Sequence, residues 1–405
     1  MIKNIIKIIA NAKSLPYFFL AIFNTTNVFL IKGGQIGHFP VNFFLCLQLY
    51  KKKAIFVTQP DFVSDNSYIY KKLKENYVFD NRYLGVPEIM EAISFLTFRL
   101  CKFDTMPEQS HMTEEVNFAK ILNPDFKIFE FTKSENDIGN NFLSKHNINT
   151  KKFICLLVRS AEYNIGVGLS NREQYQNLFR NVNPKIFIPS IDFLIENNYA
   201  VVRMGKGFTN KFPYEHKNFI DYALSDDRDD FLDIWLSAHC SFFVHSCAGL
   251  GDLPQIFYKP KLGIGVFPFG RCQTSAPKSM YLFRLARKDG KILNLKELIQ
   301  LDLIYRINGT HYKEVGVEIL ENDPEDILHT VRQMEKNCKE DRFIVDERNM
   351  IFWKKMKDEW DAQLKLKNNN LKYNFSFQYF HKIDGINTVI ANVFLDKYLD
   401  YLIDC

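Results

Sequence analysis

Residues 241–258 read SFFVHSCAGLGDLPQIFY. The apolar run SFFV has the character of a strand and stops at His245. Ser246, Cys247, Ala248 and Gly249 then make a turn of small residues, and a helical segment follows. Strand, small-residue turn and helix in that order form a βα unit, whose turn sits at the carboxyl end of a parallel strand.

The same grammar extends in both directions. Upstream, KKFICLLVRS (151–160) is a strand, IFIPSIDFLIENN (186–198) a helix, YAVVRMGKG (199–207) a strand ending in a glycine turn, and DFLDIWLSAHC (230–240) a helix. Downstream, KLGIGVFP (261–268) is a further strand. An earlier series opens with NVFLIKGG (27–34), strand then turn, followed by the helix PVNFFLCLQLYKKK (40–53) with proline at its first position. KAIFVTQPD (53–61) is its second strand. Strands alternating with helices imply parallel sheets, and 405 residues exceed one ordinary core. The expectation is an α/β chain of two doubly wound domains: an N-terminal segment 1–27, a first domain 28–140, a second 141–340, and C-terminal helices 341–405. FKIFEFT (126–132) and the polar SENDIGNN (134–141) mark the boundary. ENDPEDILHTVRQME (321–335), FWKKMKDEWDAQLKLK (352–367) and INTVIANVFLDKYLDYLI (386–403) read as helices.

Composition narrows the classes. With 46% apolar and 24% charged residues the chain is of ordinary globular type. The net charge of +5 is spread along the sequence, which is no footprint for nucleic acid. Eight scattered cysteines without a C-x-x-C pair give neither a disulfide framework nor a zinc site, and suit a reducing cytoplasm. MIKNIIKIIANAK (1–13) patterns as a short basic amphipathic helix, for packing on the core or resting on the inner membrane surface. The uncharged stretch 14–31 is broken by Pro16 and by NTTN, so neither piece spans a bilayer.

In open parallel sheets ligands bind outside the carboxyl ends of the strands. After the first strand come Lys32, Gly33, Gly34, Gly37 and His38; after the second, Asp61. In the second series Arg159, Ser160 and Glu162 follow one strand, Arg203, Gly205 and Lys206 the next, and His245 to Gly249 the third. Arginines at strand ends suit a phosphate or pyrophosphate, because the guanidinium is a permanently charged fork of donors. Small residues let backbone N–H groups approach the same anion. A Rossmann fingerprint, G-x-G-x-x-G, would need glycine where Lys32 stands; Asp61, about 24 residues past Gly37, keeps a dinucleotide reading open. Plainer roles stand beside these: His38 as a helix cap, Arg159 and Arg203 as salt-bridge residues, Arg180 as a solvated side chain, Asp221 and Tyr222 as a turn. His239 reads as structural and DDRDD (226–230) as a charged helix start.

Taken in order, LLVR ending at Arg159, LFRN (178–181), VVRMGK (201–206), FIDYALS (219–225), DFLDIWLSAHCSFFVHSCAGL and PQIFYKP resemble a family of bacterial glycosyltransferases of GT-B type found among lipopolysaccharide and capsule genes. GGQIGHF (33–39) is similar to that family's N-terminal G-H loop, and GVEILENDPEDIL (316–328) to its closing helix. Two departures stand out: Ser246, Cys247, Ala248, Gly249 where the family commonly has a Ser-Ser-Gly run, and Arg284 where a lysine is expected. The resemblance implies two facing Rossmann-like domains, donor bound mainly by the second, C-terminal helices crossing back to the first, and no essential metal. It implies transfer of a sugar from a nucleotide donor to a glycan or glycolipid acceptor. Within it Arg159, Arg180 and Arg203 are expected at the donor diphosphate together with Gly34, Gly37, Gly205 and the 245–249 turn. Asp221 and Tyr222 are expected at the nucleoside. His38, then Asp61, then Glu162 are the candidate bases for the acceptor hydroxyl, imidazole because it titrates near neutral pH. A non-catalytic sugar-nucleotide-binding protein and an NAD-dependent enzyme are the rivals.

Overall fold

The computed structural model describes residues 27–30, 34–49, 54–58, 63–80, 103–105, 122–148, 152–160, 162, 178–274, 276–368 and 383–404. Asp61, Lys32, Gly33 and the amphipathic segment 1–13 lie outside them. The described residues form two compact units, divided between Phe131 and Thr132.

The first unit runs β1 (Asn27–Leu30), α1 (Phe39–Leu49), β2 (Ala54–Val57), α2 (Ser67–Asn76), β3 (Val78–Asp80) and β4 (Phe103–Thr105). Its parallel sheet has the order β3-β2-β1-β4. Phenylalanines supply the packing: the Phe43 ring of α1 lies 3.9 Å from Phe56 and 5.6 Å from Phe79. α1 starts at Phe39, one residue ahead of the proline expected to open it.

The second unit opens with α3 (Lys133–Lys145), and then runs β5 (Phe153–Leu157), α4 (Ile188–Glu196), β6 (Ala200–Arg203), β7 (Phe219–Ile220), α5 (Asp230–His239), β8 (Phe243–His245) and β9 (Lys261–Val266). β10 (Ser279–Phe283) is followed by β11 (Ala286–Lys288), β12 (Lys291–Ile292), α6 (Leu295–Gln300), α7 (Gly309–Glu314) and β13 (Glu318–Ile319). The chain closes with α8 (Pro324–Glu340), α9 (Glu347–Asn368), β14 (Val389–Ile390) and α10 (Asn392–Ile403). Seven parallel strands in the order β14-β10-β9-β8-β5-β6-β7 make the main sheet, and β12-β11-β13 a small antiparallel one. β5 and β10 are buried along their whole length, as expected of strands covered on both faces.

Three segments differ from their sequence reading. SENDIGNN, read as a polar stretch marking the boundary, lies inside α3, whose first turn is closed by a capping box between Thr132 and Glu135. The segment after the 246–248 turn is a 3-10 helix, Gly249–Phe257, with Pro254 inside it. Val389 and Ile390, read as helix, pair with Met280 and Tyr281 as the sheet's edge strand. α10 then packs on α8 and α9 through buried Phe394, Leu395, Leu399 and Leu402.

Candidate functional site

The chain reverses direction across the second sheet between β5 and β8: β6 and β7 lie on one side of β5, β8 to β10 on the other. Such a switch point opens a crevice at the strands' carboxyl ends. Two hydrogen bonds join the strand ends on either side of it here. The Arg159 N–H donates to Ser246 Oγ (2.7 Å), and the Ser246 N–H donates to the Leu157 carbonyl (2.9 Å). Ser246 is thereby buried and fixed, while Arg159, Cys247, Ala248 and Gly249 stay partly exposed.

Arg180 reaches the same turn from a separate segment. It ends the 3-10 turn Leu178–Arg180, and its Nη2 donates to the Cys247 carbonyl at 2.5 Å. Cys247 holds a left-handed backbone (φ 49°). Burial pushes its thiol up to about 11, with Arg180 and Arg284 opposing, so it stays a neutral thiol at neutral pH. The Arg159 backbone, the Arg180 guanidinium and a turn of small residues therefore meet at one strand-end crevice, an arrangement whose cationic and N–H donors suit an anion.

Beneath the turn lies a polar layer of which the sequence reading named only His245. Lys261, fully buried at the start of β9, donates to Asp252 Oδ1 (3.2 Å), Gln255 Oε1 (3.5 Å) and Gln273 Oε1. Burial alone would raise the Asp252 carboxyl, but Lys261 and His245 hold it below the usual range. His245 is buried beside this pair, neither ring nitrogen hydrogen-bonded among the described residues, and burial pulls its imidazole down to about 4. Gly251 makes room for that ring, since a Cβ there would stand 2.2 Å from His245 Cγ. A signal for this layer was present: a lysine opening the apolar strand KLGIGV must find buried partners.

Other expected site residues have different company. Arg203 is buried, pairs with Asp221 (2.9 Å), donates to the Asn210 carbonyl (3.0 Å), and lies 4.1 Å from the Phe208 ring. Asp221 also accepts from the Phe212 N–H (3.0 Å). These two residues, expected at the diphosphate and the nucleoside, hold the 208–221 loop instead, because a buried guanidinium requires a carboxylate nearby. Tyr222 is fully buried; its hydroxyl donates to the Asp229 carbonyl (3.0 Å) and its ring meets Phe142, so it faces the core, not a nucleoside. Gly205 (φ 135°) permits the turn over Phe208. Glu162 accepts from the Thr209 N–H (2.5 Å) and Asn210 Nδ2 (2.9 Å). Burial would raise its carboxyl, yet these bonds lower it, which makes it a poor proton acceptor. DDRDD starts α5 as expected: Asp229 caps the Leu232 N–H (2.6 Å), and Arg228 binds Asp233 (2.5 Å).

In the first unit, β1 lies at the corresponding switch, between β2 and β4, and the 34–38 loop follows it. Gly34 is required there: a Cβ would sit 2.0 Å from the Val63 carbonyl oxygen, and its own carbonyl accepts from the Asp65 N–H (2.9 Å). Gly37 is buried in the same turn. His38 is exposed; its carbonyl accepts from the Asn42 N–H (2.8 Å), placing it at the start of α1.

Among the described residues no group of three or more His, Cys, Asp or Glu is placed to hold a metal ion, and no helix is long and apolar enough to cross a membrane. No protein-family model and no curated protein matches the sequence. Solved structures are similar at low scores. They include the glycosyl transferase family 9 protein of Veillonella parvula DSM 2008, with 10% identity over 64% of this chain and 86% of that one, and a TM-score of 0.40. The E. coli ADP-heptose lps heptosyltransferase II shares 12% identity over 76% of this chain and 99% of its own, with a TM-score of 0.39. The iron-containing dodecameric glycosyltransferase TibC of enterotoxigenic E. coli shares 15% over 63% and 61%, with a TM-score of 0.32. Likeness at this level assigns neither donor nor acceptor.

Proposed function

We propose that this chain is a GT-B-type glycosyltransferase of bacterial surface-polysaccharide synthesis, moving a sugar from a nucleotide donor to a glycan or glycolipid acceptor. The observation that carries the reading is the meeting of Arg159 and Arg180 with the Ser246 turn at the β5–β8 switch. The guanidinium groups would neutralise the departing nucleoside diphosphate, the charge development that catalysis of this transfer must offset, with no essential metal in that role. Backbone N–H groups of Ala248 and Gly249 would contribute to the same anion.

Of the candidate bases, His38 is preferred, since Glu162 is tied to the 209–210 backbone. The groove of about 430 Å³ beside α2, lined by Val63, Ser64, Ser67, Tyr70, Lys71, Lys74 and Glu75, offers a ring, two ammonium groups and a carboxylate for a polar glycan acceptor. The enzyme would work in the cytoplasm, with the basic segment 1–13 resting on the inner membrane face.

A thermal-shift panel of UDP, GDP, CMP, ADP and NAD with their sugar conjugates tests the reading, because a ligand of the native state raises the melting temperature by mass action. A nucleoside diphosphate should stabilise, and Arg159→Ala or Arg180→Met should weaken it more than about tenfold, the worth of a charge-assisted hydrogen bond. Stabilisation by NAD alone overturns the reading. Binding of a nucleotide sugar without transfer to any surface-glycan acceptor makes the chain a sensor. His38→Ala with unchanged turnover removes the base.

A further inference from the structure

Arg284 stands where a donor-binding lysine was expected, but its guanidinium is spent on backbone. It follows β10 and is buried. Nε donates to the Leu320 carbonyl (2.7 Å), Nη1 to the Phe179 carbonyl (2.6 Å) and Nη2 to the Ile319 carbonyl (3.3 Å). Those carbonyls belong to two segments far apart in sequence: the turn that carries Arg180, and the end of β13.

Further bonds converge on the Arg180 segment. The Val182 N–H donates to the Arg159 carbonyl (3.3 Å), the Asn183 N–H to Glu321 Oε1 (2.8 Å), and the Phe179 ring packs edge-on against Tyr312 at 4.7 Å. Gly265, with φ 71°, lies between the two arginines' neighbourhoods: its carbonyl accepts from Cys247 Sγ (3.7 Å), and a Cβ on it would come within 3.4 Å of Arg284 Cδ.

We propose that Arg284 is a positioning residue, a clamp that fixes the 178–183 segment to β13 so that Arg180 reaches the 246–249 turn already oriented. A buried cation satisfied by carbonyl oxygens is stable only while all of them stay in place, so the clamp ties the segment's order to the fold. A planar fork can span two segments in a way that a single ammonium cannot, which accounts for arginine at this position. An arm fixed beforehand binds an anion without the ordering cost of a free side chain. The anion-binding part rests on the donor-site reading above; the clamp itself does not.

The test compares the intact chain with Arg284→Met, Arg284→Lys and, as a control that loses only a surface ion pair to β13 (Glu318, 2.8 Å), Arg287→Met. In hydrogen–deuterium exchange, both Arg284 variants should raise exchange at the amides of 181–183 by more than about tenfold, with β5, β8 and β9 unchanged. Arg287→Met should leave all of these alone. Unchanged exchange at 181–183 overturns the clamp, and so does a general rise across the three strands, which would make Arg284 a fold residue only. Calorimetric titration with inorganic pyrophosphate supplies the second arm. Arg284→Met should weaken binding about tenfold, and Arg180→Met/Arg284→Met should be no weaker than Arg180→Met alone. Additive losses would mean that Arg284 touches the anion itself, overturning the positioning role. If the parent chain binds neither pyrophosphate nor any nucleoside diphosphate, the donor-site reading falls and the exchange result alone decides the clamp.

Discussion

Two buried titratable residues of the second unit pull stability in opposite directions. His245 has its imidazole lowered to about 4 by burial. Between pH 4 and 6.5 the unfolded chain binds this proton and the native one does not, so stability rises with pH across that window, by on the order of 3 kcal/mol. Burial raises Asp233 to about 6 against the pull of Arg228, and its Oδ1 has no hydrogen-bond partner among the described residues. There the native state holds the proton, so stability falls as pH rises from 3.8 to 6, by a similar amount. In the intact protein these two contributions largely offset each other. Stability from urea denaturation followed by tryptophan fluorescence should rise with pH in Asp233→Asn and fall in His245→Asn. The same sign in both would sink the assignment. Gly251→Ala, forced 2.2 Å from the His245 ring, should cost about 1–3 kcal/mol, and His245→Ala in the same chain should recover part of it.

At the scale of elements, α3 carries the most surprising local logic. Its sequence is polar enough to resemble a linker, yet Thr132 and Glu135 satisfy each other's backbone donors, and Phe142 and Leu143 give it a buried face. Gly139 lets α3 approach α5, since a Cβ there would lie 2.2 Å from Trp235 Cδ2, and Asn136 Oδ1 accepts from Trp235 Nε1 (3.1 Å). Thr132→Ala should cost about 1 kcal/mol in chemical denaturation, a typical loss of a cap. Gly139→Ala should cost clearly more, because three ring atoms of Trp235 must move. Equal losses would mean that α3 owes its place to the cap and not to its seat on Trp235.

For the whole molecule, the last residues complete the second unit. β14 pairs the open edge of β10, Asn349 Oδ1 accepts from the Ile390 N–H (2.6 Å), and α10 buries Phe394, Leu395, Leu399 and Leu402. Four such side chains at roughly 2 kcal/mol each approach the net stability of an ordinary domain, about 5–15 kcal/mol. A chain ending at Gly385 should therefore aggregate or melt roughly 10 °C lower by calorimetry. A truncated chain that melts with the intact one would show α10 to be an accessory.

Periodicity and turn chemistry in the sequence determined the parallel α/β architecture, most strands, and the strand-end turn at 246–249, because these depend on neighbours close along the chain. The strand-end reading singled out Arg159 as a candidate, and the resemblance added Arg180. What they could not decide was which polar strand-end residues face the crevice. Arg203, Asp221 and Tyr222 carry the same chemistry as site residues, but their partners lie 7 to 18 positions away and turn them inward. The two-residue strand β14 was hidden for a similar reason, since Val389 and Ile390 are strand only because β10 offers them an edge. Arg284 went unread as a clamp because its three carbonyl partners are 35, 36 and 105 residues distant and exist together only in the folded chain.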